Sequence, residues 1–434
     1  MEGKIRILVV SNTPWDDSNS FGSSFSNILG GEPRYEIANI YCQSGWPNTQ
    51  VAKRFFRISE KSIIRSLVKK AKSSGEKVAN HPGVVNQDSE TVQKAKHIRW
   101  QLFFWIRDLI WATGKWHSAE LDRFIDDFQP DIVFQPLYFQ PHINRIGIYA
   151  AQRANVPMVG YTSDDNYSLR QYSWSPLFWI DRFIKRRLFK KAVDHCPLLY
   201  VITETQRKEY DRYFGLEKCK VLYKGGNFNR TMPEYTENRP IRFLYTGNLG
   251  AGRWETLTQI AKGIHSLNTN GKKARLEIYS ATVLSPTVLS QLNIQGSSEF
   301  KGRVSATEIR PLQQAADVLI HVEPFSKTER YKARLSFSTK IVDYMEAARC
   351  ILAVGWKETG GIEYLTANNA AYCITDPSEI STALEQLISD TALRRQYAIN
   401  AYQCGCRNHD LSKIQSRLYR DLRRIIQWQT SIQS

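Results

Sequence analysis

The 434-residue chain is longer than one hydrophobic core usually organises, which excludes a single small module and predicts two domains of roughly 200 residues each. With 42% apolar and 23% charged residues it can build real cores, which excludes a disordered chain. Its formal net charge of +17 attracts phosphate-bearing substrates, acidic membrane surfaces or polyanions, without choosing among them.

The opening segment, MEGKIRILVVSNTPW, has a short apolar run around Ile7 followed by turn-forming residues. That run is shorter than the apolar region of a signal peptide and reads as a first β-strand. No stretch holds the roughly eighteen consecutive apolar residues of a spanning helix. Seven cysteines with no CxxC pair and no metal-ligand spacing suit a reducing compartment. The expected location is the cytoplasm, with the inner face of the membrane as a peripheral setting.

After the first strand comes the loop SNTPWDDSNSFGSSFSNIL, then a basic, aromatic stretch at about 50–116 without sheet-like rhythm, read as an insertion. SAELDRFIDDF predicts a helix, DIVFQP a buried strand, INRIGIYAAQRAN a helix and VPMVGYT another strand, and LLYVITETQRKEYDRYFG continues the alternation. Polar and turn-forming residues at 227–240, with two prolines, mark a linker. The expected domains are therefore 1–235 and 236–410. The second restarts with the strand IRFLYTGNLG, a helix at about 254–268, the strand ARLEIYSA, the EFKGRV turn, and a helix and strand in TEIRPLQQAADVLIHVEPF. A last amphipathic helix at 411–434 is expected to pack back on the first domain. The fold class is α/β, two Rossmann-like domains facing each other across a cleft.

Two segments of the second half carry the chemistry. TGNLGAGRWETL places Gly247, Asn248, Gly250 and Arg253 after a strand. Such glycines permit a tight turn, with Arg253 either solvated at the next helix start or aimed at a phosphate. In SFSTKIVDYMEAARCILAVG, Ser338, Thr339 and Lys340 open a helix whose first N–H groups and positive dipole end can bind phosphates, and Asp343 follows one turn on. The plain alternative is an N-capped amphipathic helix before a buried strand.

In this order the two segments resemble the GT-B glycosyltransferases, specifically their retaining, family-four-like branch. The resemblance implies that Arg253 and Lys340 neutralise a leaving nucleoside diphosphate, and that Asp343 accepts hydrogen bonds from ribose hydroxyls. Asn248 stands where the family has Arg. Leu335 stands where many relatives carry an acid eight positions before the ribose carboxylate, so sugar recognition is assigned to Glu323 or Glu329. Gly302, Arg303 and Val304 match the loop whose backbone meets the base, uracil being the family's common choice.

On the acceptor side, Gly22 and Ser23 are the counterparts of the family's glycine-rich loop, and Asp164 and Asp165 stand where it often has a His. A carboxylate there orients or deprotonates an acceptor hydroxyl, or else caps a loop.

The expected activity is a retaining, metal-independent hexosyltransferase. It would move glucose from a UDP-sugar to a glycan or lipid-linked acceptor in polysaccharide or exopolysaccharide biosynthesis, with no cofactor beyond the UDP-sugar substrate. The alternatives are a nucleotide-sugar epimerase of the same fold and a basic nucleic-acid-binding protein. No RNA-recognition or helix-turn-helix signature supports the latter, so nucleic acid is not an expected partner. IRWQLFFWIRDLIWATGKW and YSWSPLFWIDRFIKRRLFKK interleave aromatics with Arg and Lys, which suits either an anionic membrane surface or ordinary core packing with snorkelling stems.

Overall fold

The computed structural model describes residues 4–68, 74–81, 101–228 and 231–433. Its first sheet comprises β1 (Ile5–Ser11), β2 (Tyr35–Tyr41), β3 (Arg54–Ile58), β4 (Gly75–Val78), β5 (Ile132–Pro136), β6 (Met158–Thr162), β7 (Leu198–Val201) and β8 (Cys219–Val221). The second comprises β9 (Ile241–Thr246), β10 (Ala274–Tyr279), β11 (Ser298–Gly302), β12 (Val318–Val322), β13 (Cys350–Val354) and β14 (Tyr372–Ile374). The orders are β4-β3-β2-β1-β5-β6-β7-β8 and β11-β10-β9-β12-β13-β14. All neighbours pair parallel except β3 with β4.

The apolar runs become central strands because both faces of each sheet are covered by helices. In β1, Ile7 and Val9 enter one hydrophobic cluster while Leu8 and Val10 enter the cluster on the opposite face. A continuous apolar run satisfies both sides at once, since successive side chains point opposite ways.

The stretch at 50–116 needs correction. It supplies β3 and β4 at the sheet edge, as well as helices Glu60–Val68 and Gln101–Thr113. In RFFRI, Phe55 and Phe56 are buried on opposite faces while Arg57 pairs outward with Glu76. Two adjacent aromatics flanked by arginines hide the period-2 signal. Residues 69–73 and 82–100 of that stretch lie outside the described residues.

The helix Leu411–Gln433 lies on the first sheet, burying Ile414, Leu418 and Leu422 in the cluster of Ile7 and Phe134. Their spacing of four puts them on one stripe, each worth about 1.5–3 kcal/mol when fully buried. The chain crosses between the sheets twice, side by side: Gly226 N–H donates to the His409 carbonyl at 2.7 Å, and Leu411 N–H to the Gly226 carbonyl at 3.1 Å.

In each sheet the strand order reverses once, between β1 and β5 and between β9 and β12. Loops at the carboxyl ends of such strands diverge there and leave a crevice.

Candidate active site

The two crevices face each other and merge into one cavity of about 730 Å³. Asn12 and Thr13 follow β1, Leu137 to Gln140 follow β5, and Ser163 and Asp164 follow β6. From the second sheet come Gly247 and Asn248 after β9, Glu323 after β12, and the segment from Ser336 to Lys340.

On the second-domain wall, Asn248 Oδ1 accepts the Gly250 N–H at 2.6 Å, and Ala251 and Gly252 adopt positive φ (+55° and +77°) before helix Arg253–Leu267. A Cβ on Gly252 would press within 3.2 Å of Pro324, so the turn suits glycine on both counts. It brings the Arg253 guanidinium onto Glu323, with Nη2 to Oε2 at 3.0 Å and Nε to Oε2 at 3.2 Å. Glu323 is buried, and desolvation raises its pKa while Arg253 opposes the rise. Its neighbour His321 is pushed down to about 3 by burial, with Arg253 and Lys340 adding, and is therefore neutral. His321 Nε2 has no hydrogen-bond partner among the described residues.

Helix Lys340–Ala347 begins at Thr339 with no side-chain cap; its Ile341 and Val342 N–H groups donate to the Ser338 and Thr339 carbonyls at 3.1 and 3.3 Å, and no side chain blocks its positive dipole end. Its apolar side buries Ile341, Val342 and Met345, and the buried Tyr344 hydroxyl meets the end of β9 at Thr246. That packing fixes Ser338, Thr339 and Lys340 in the cavity wall. Burial lowers the pKa of Lys340; Asp343 opposes this, and the cations Arg253 and Lys224 reinforce it.

Asp343 is held by Lys224 Nζ at 2.6 Å and stands outside the cavity wall. Lys224 is a partner that no motif in the sequence marks. Its only signal there is the KGG turn at 224–226 where the chain leaves the first sheet. Leu335 is completely buried in a first-domain cluster with Leu137 and Phe189. Leu335, on the second-domain segment, thus docks the two domains together. The adjoining Arg334 pairs with Glu209 at 2.8 Å, and Ser336 Oγ donates to Asp164 Oδ1 at 3.3 Å.

The first-domain wall corrects three assignments. Asn19 accepts the Gly22 N–H at 2.7 Å to cap helix Ser20–Leu29, whose Ser20, Phe21 and Ser24 face the cavity. Gly22 and Ser23 do not. Gly22 packs on the Asp16 backbone, where a Cβ would lie 2.0 Å from the carbonyl oxygen. The two acids also separate. Asp164 lines the cavity, its carboxylate open to cleft solvent but walled by protein, and desolvation raises its pKa. Asp165 is buried behind it, bonding Arg182 Nη2 at 3.1 Å and the Ser168 N–H at 2.8 Å. With its oxygens so engaged, Asp165 is a structural anchor rather than a catalytic group.

Arg303 and Val304 also lie outside the cavity wall, beyond the end of edge strand β11, two strands from the switch point. Glu329 is likewise elsewhere, pairing with Lys332.

No protein-family model and no curated protein sequence matches the chain. Solved structures do. Anabaena HepE in complex with UDP aligns over 96% of this chain and 99% of its own, at 13% identity and a TM-score of 0.62. The alpha,alpha-trehalose-phosphate synthase (UDP-forming) of Burkholderia xenovorans aligns over 96% of this chain and 100% of its own, at 11% identity and a TM-score of 0.58. WaaG, a glycosyltransferase involved in lipopolysaccharide biosynthesis, aligns over 95% of this chain and 98% of its own, at 13% identity and a TM-score of 0.52. The chain has the GT-B fold.

In this GT-B chain the two halves of the cleft differ in charge. Lys340 and the start of its helix supply positive potential on one side, where Arg253 is paired with Glu323. Asp164 and polar loop groups supply acceptors on the other. A low-dielectric cleft strengthens both fields. The arrangement can hold a diphosphate against the second domain and a hydroxyl against the first.

Proposed function

We propose that the chain is a UDP-glucose-dependent hexosyltransferase that retains the configuration of the transferred sugar, uses no metal, and glycosylates a glycan or lipid-linked saccharide in polysaccharide biosynthesis. The observation that carries this reading is the uncapped start of helix Lys340–Ala347 beside the Arg253 and Lys340 cations, at the switch point of the second sheet. HepE, which shares the fold, is described with UDP and with UDP-glucose.

In the reaction, the bond between the anomeric carbon and the diphosphate oxygen breaks, and a bond from the acceptor oxygen to that carbon forms on the same face. The acceptor proton passes to the leaving diphosphate. Arg253 and Lys340 stabilise the charge that develops there, a preorganised electrostatic contribution. Asp164 accepts the hydrogen bond of the incoming hydroxyl and orients it. His321 and Glu323 offer polar atoms to the sugar hydroxyls from the cavity wall. Asp343 takes the ribose, which requires it to exchange Lys224 for the diol. Arg303 and Val304 contribute backbone groups toward the base only if the donor extends beyond the cavity wall along β10 and β11.

A thermal-shift panel of UDP, UDP-glucose, UDP-galactose, UDP-N-acetylglucosamine and GDP-mannose tests the donor. A ligand that binds only the folded state raises its melting temperature with occupancy. Selective stabilisation by UDP-glucose is expected, and equal indifference to all five would overturn the proposal. Nuclear magnetic resonance of the product reports the anomeric configuration. Conversion of UDP-glucose to another nucleotide sugar without glycoside formation would establish an epimerase instead.

A further inference from the structure

Two helices of the first domain lie side by side on the surface. Trp105 on Gln101–Thr113 donates from Nε1 to Asp181 on Pro176–Asp194 at 2.9 Å, and Lys185 spans Asp181 and Asp108 at 3.0 and 3.5 Å. With these internal acids neutralised, the outward faces are apolar. Leu109 is 62% exposed, Phe183 55%, Ile184 53%, and Leu177 and Ile180 49% each. Trp174, just before the second helix, is 87% exposed. Between these helices and Pro141–Ala154 runs an open groove of about 890 Å³ into which Leu109, Ile180, Ile184 and Leu188 project.

So much contiguous apolar surface is unusual on a free soluble face. Its charged border is basic: Arg187 and Lys191 are exposed along the second helix, and Lys190 beside them is paired with the one acid of that border, Asp194. An apolar stripe bordered by cations is complementary to an anionic bilayer, where the hydrocarbon boundary takes the stripe and the headgroups take the cations.

We propose that this face seats on an anionic lipid bilayer. Phe139 and Gln140 line the cleft and the next residue, Pro141, lines the groove. A seated molecule therefore opens the acceptor side of its cleft next to the membrane. That consequence, presentation of a lipid-borne saccharide, rests on the transferase reading above, whereas the docking itself rests on the surface alone. Among the described residues no helix is long and apolar enough to cross a membrane, so the contact is along the interface.

Flotation of the full chain with phosphatidylcholine vesicles, with and without phosphatidylglycerol, tests the docking. The parent should float with the anionic vesicles and remain largely below with neutral ones. The double variant Leu177→Glu/Ile184→Glu should lose about tenfold or more of the bound fraction. The triple variant Arg187→Glu/Lys190→Glu/Lys191→Glu should lose the preference for phosphatidylglycerol. Val283→Glu, at a 97% exposed position in the second domain, should float like the parent. All variants are also melted with and without UDP. An unchanged UDP shift shows that a flotation defect is not misfolding, and a parent without any UDP shift breaks the transferase reading while leaving docking standing. A parent that ignores anionic vesicles, or a double variant that floats like the parent, would overturn the proposal. So would a micromolar dimer in light scattering that the double variant dissociates without lipid, since the face would then join two copies of this chain.

Discussion

The two walls of the cleft use the same fold to opposite ends. Where β9 and β12 diverge, the loops deliver Arg253 and an uncapped helix start with Lys340 at its first position. Where β1 and β5 diverge, the helix that follows is capped by Asn19, and the nearest charge in the cavity is the carboxylate of Asp164. At the first start no side chain occupies the positive dipole end, although the Ile341 and Val342 N–H groups turn back to the Ser338 and Thr339 carbonyls, whereas at the second the Asn19 side chain already sits there and takes the Gly22 N–H. Charge and capping, not topology, distinguish the two walls, and under the proposed function they mark the donor side and the acceptor side.

The comparison is broken most directly at Lys340. Lys340→Ala removes a half-buried cation that in the proposed reaction acts on developing charge, and transfer should fall about 100- to 1,000-fold, the usual cost of losing one such group. Loss of UDP affinity in calorimetry should accompany it. A variant with parental turnover would remove the anion-binding role from this wall.

Asp165 and Asp164 should then part company. Asp165→Asn strips a buried arginine of its partner, and breaking a buried pair typically costs about 3–5 kcal/mol, so denaturant melts should show a large loss of stability. Asp164→Asn should melt near the parent and bind UDP normally while transfer drops about 10- to 100-fold. The opposite pattern would exchange the roles assigned to the two neighbours.

pH supplies a milder version of the same test. Desolvation raises the pKa of Asp164 above its ordinary 3.8, so on acidification it takes up its proton earlier than a free aspartate. The acid limb of the transfer rate should lie above that value and vanish in Asp164→Asn. Between the unfolded and folded pKa values the native state binds more protons than the unfolded one, so this group makes stability fall as pH rises through that window. The Asn variant should flatten that slope.

The smallest effect is expected at Asp343. Its exchange of Lys224 for the ribose diol replaces one charge-assisted contact by others, so Asp343→Ala should weaken UDP binding only about tenfold, in line with about 1.5 kcal/mol. It should also erase the preference for UDP over its 2′,3′-dideoxy analogue. A preserved preference would place the ribose elsewhere.

Much of this architecture is legible along the chain because buried parallel strands are apolar on both faces. IRILVVS, DIVFQP and ARLEIYS stand out without an alignment, and each is a strand. RFFRI at β3 does not stand out, because its two phenylalanines serve opposite faces and its arginines mask them. The segment from Ser338 to Lys340 that lines the cavity is legible for a related reason, since small residues and a Lys precede the apolar stripe that anchors Lys340–Ala347. Gly22 misled because glycine permits close backbone approach of any kind, and here the approaching group is the Asp16 carbonyl.

Local sequence alone determined the alternation of strands and helices and the division into two sheet-centred domains, since these follow from periodicity and from residue chemistry over a few turns. Tertiary structure alone decided which of two adjacent aspartates reaches solvent. It also decided that Leu335 seals the two domains together, and that Lys224, 119 residues before Asp343, holds its carboxylate. Those outcomes depend on which groups a folded chain brings within a few ångströms of each other, and burial and pairing over such distances leave no trace in a linear pattern.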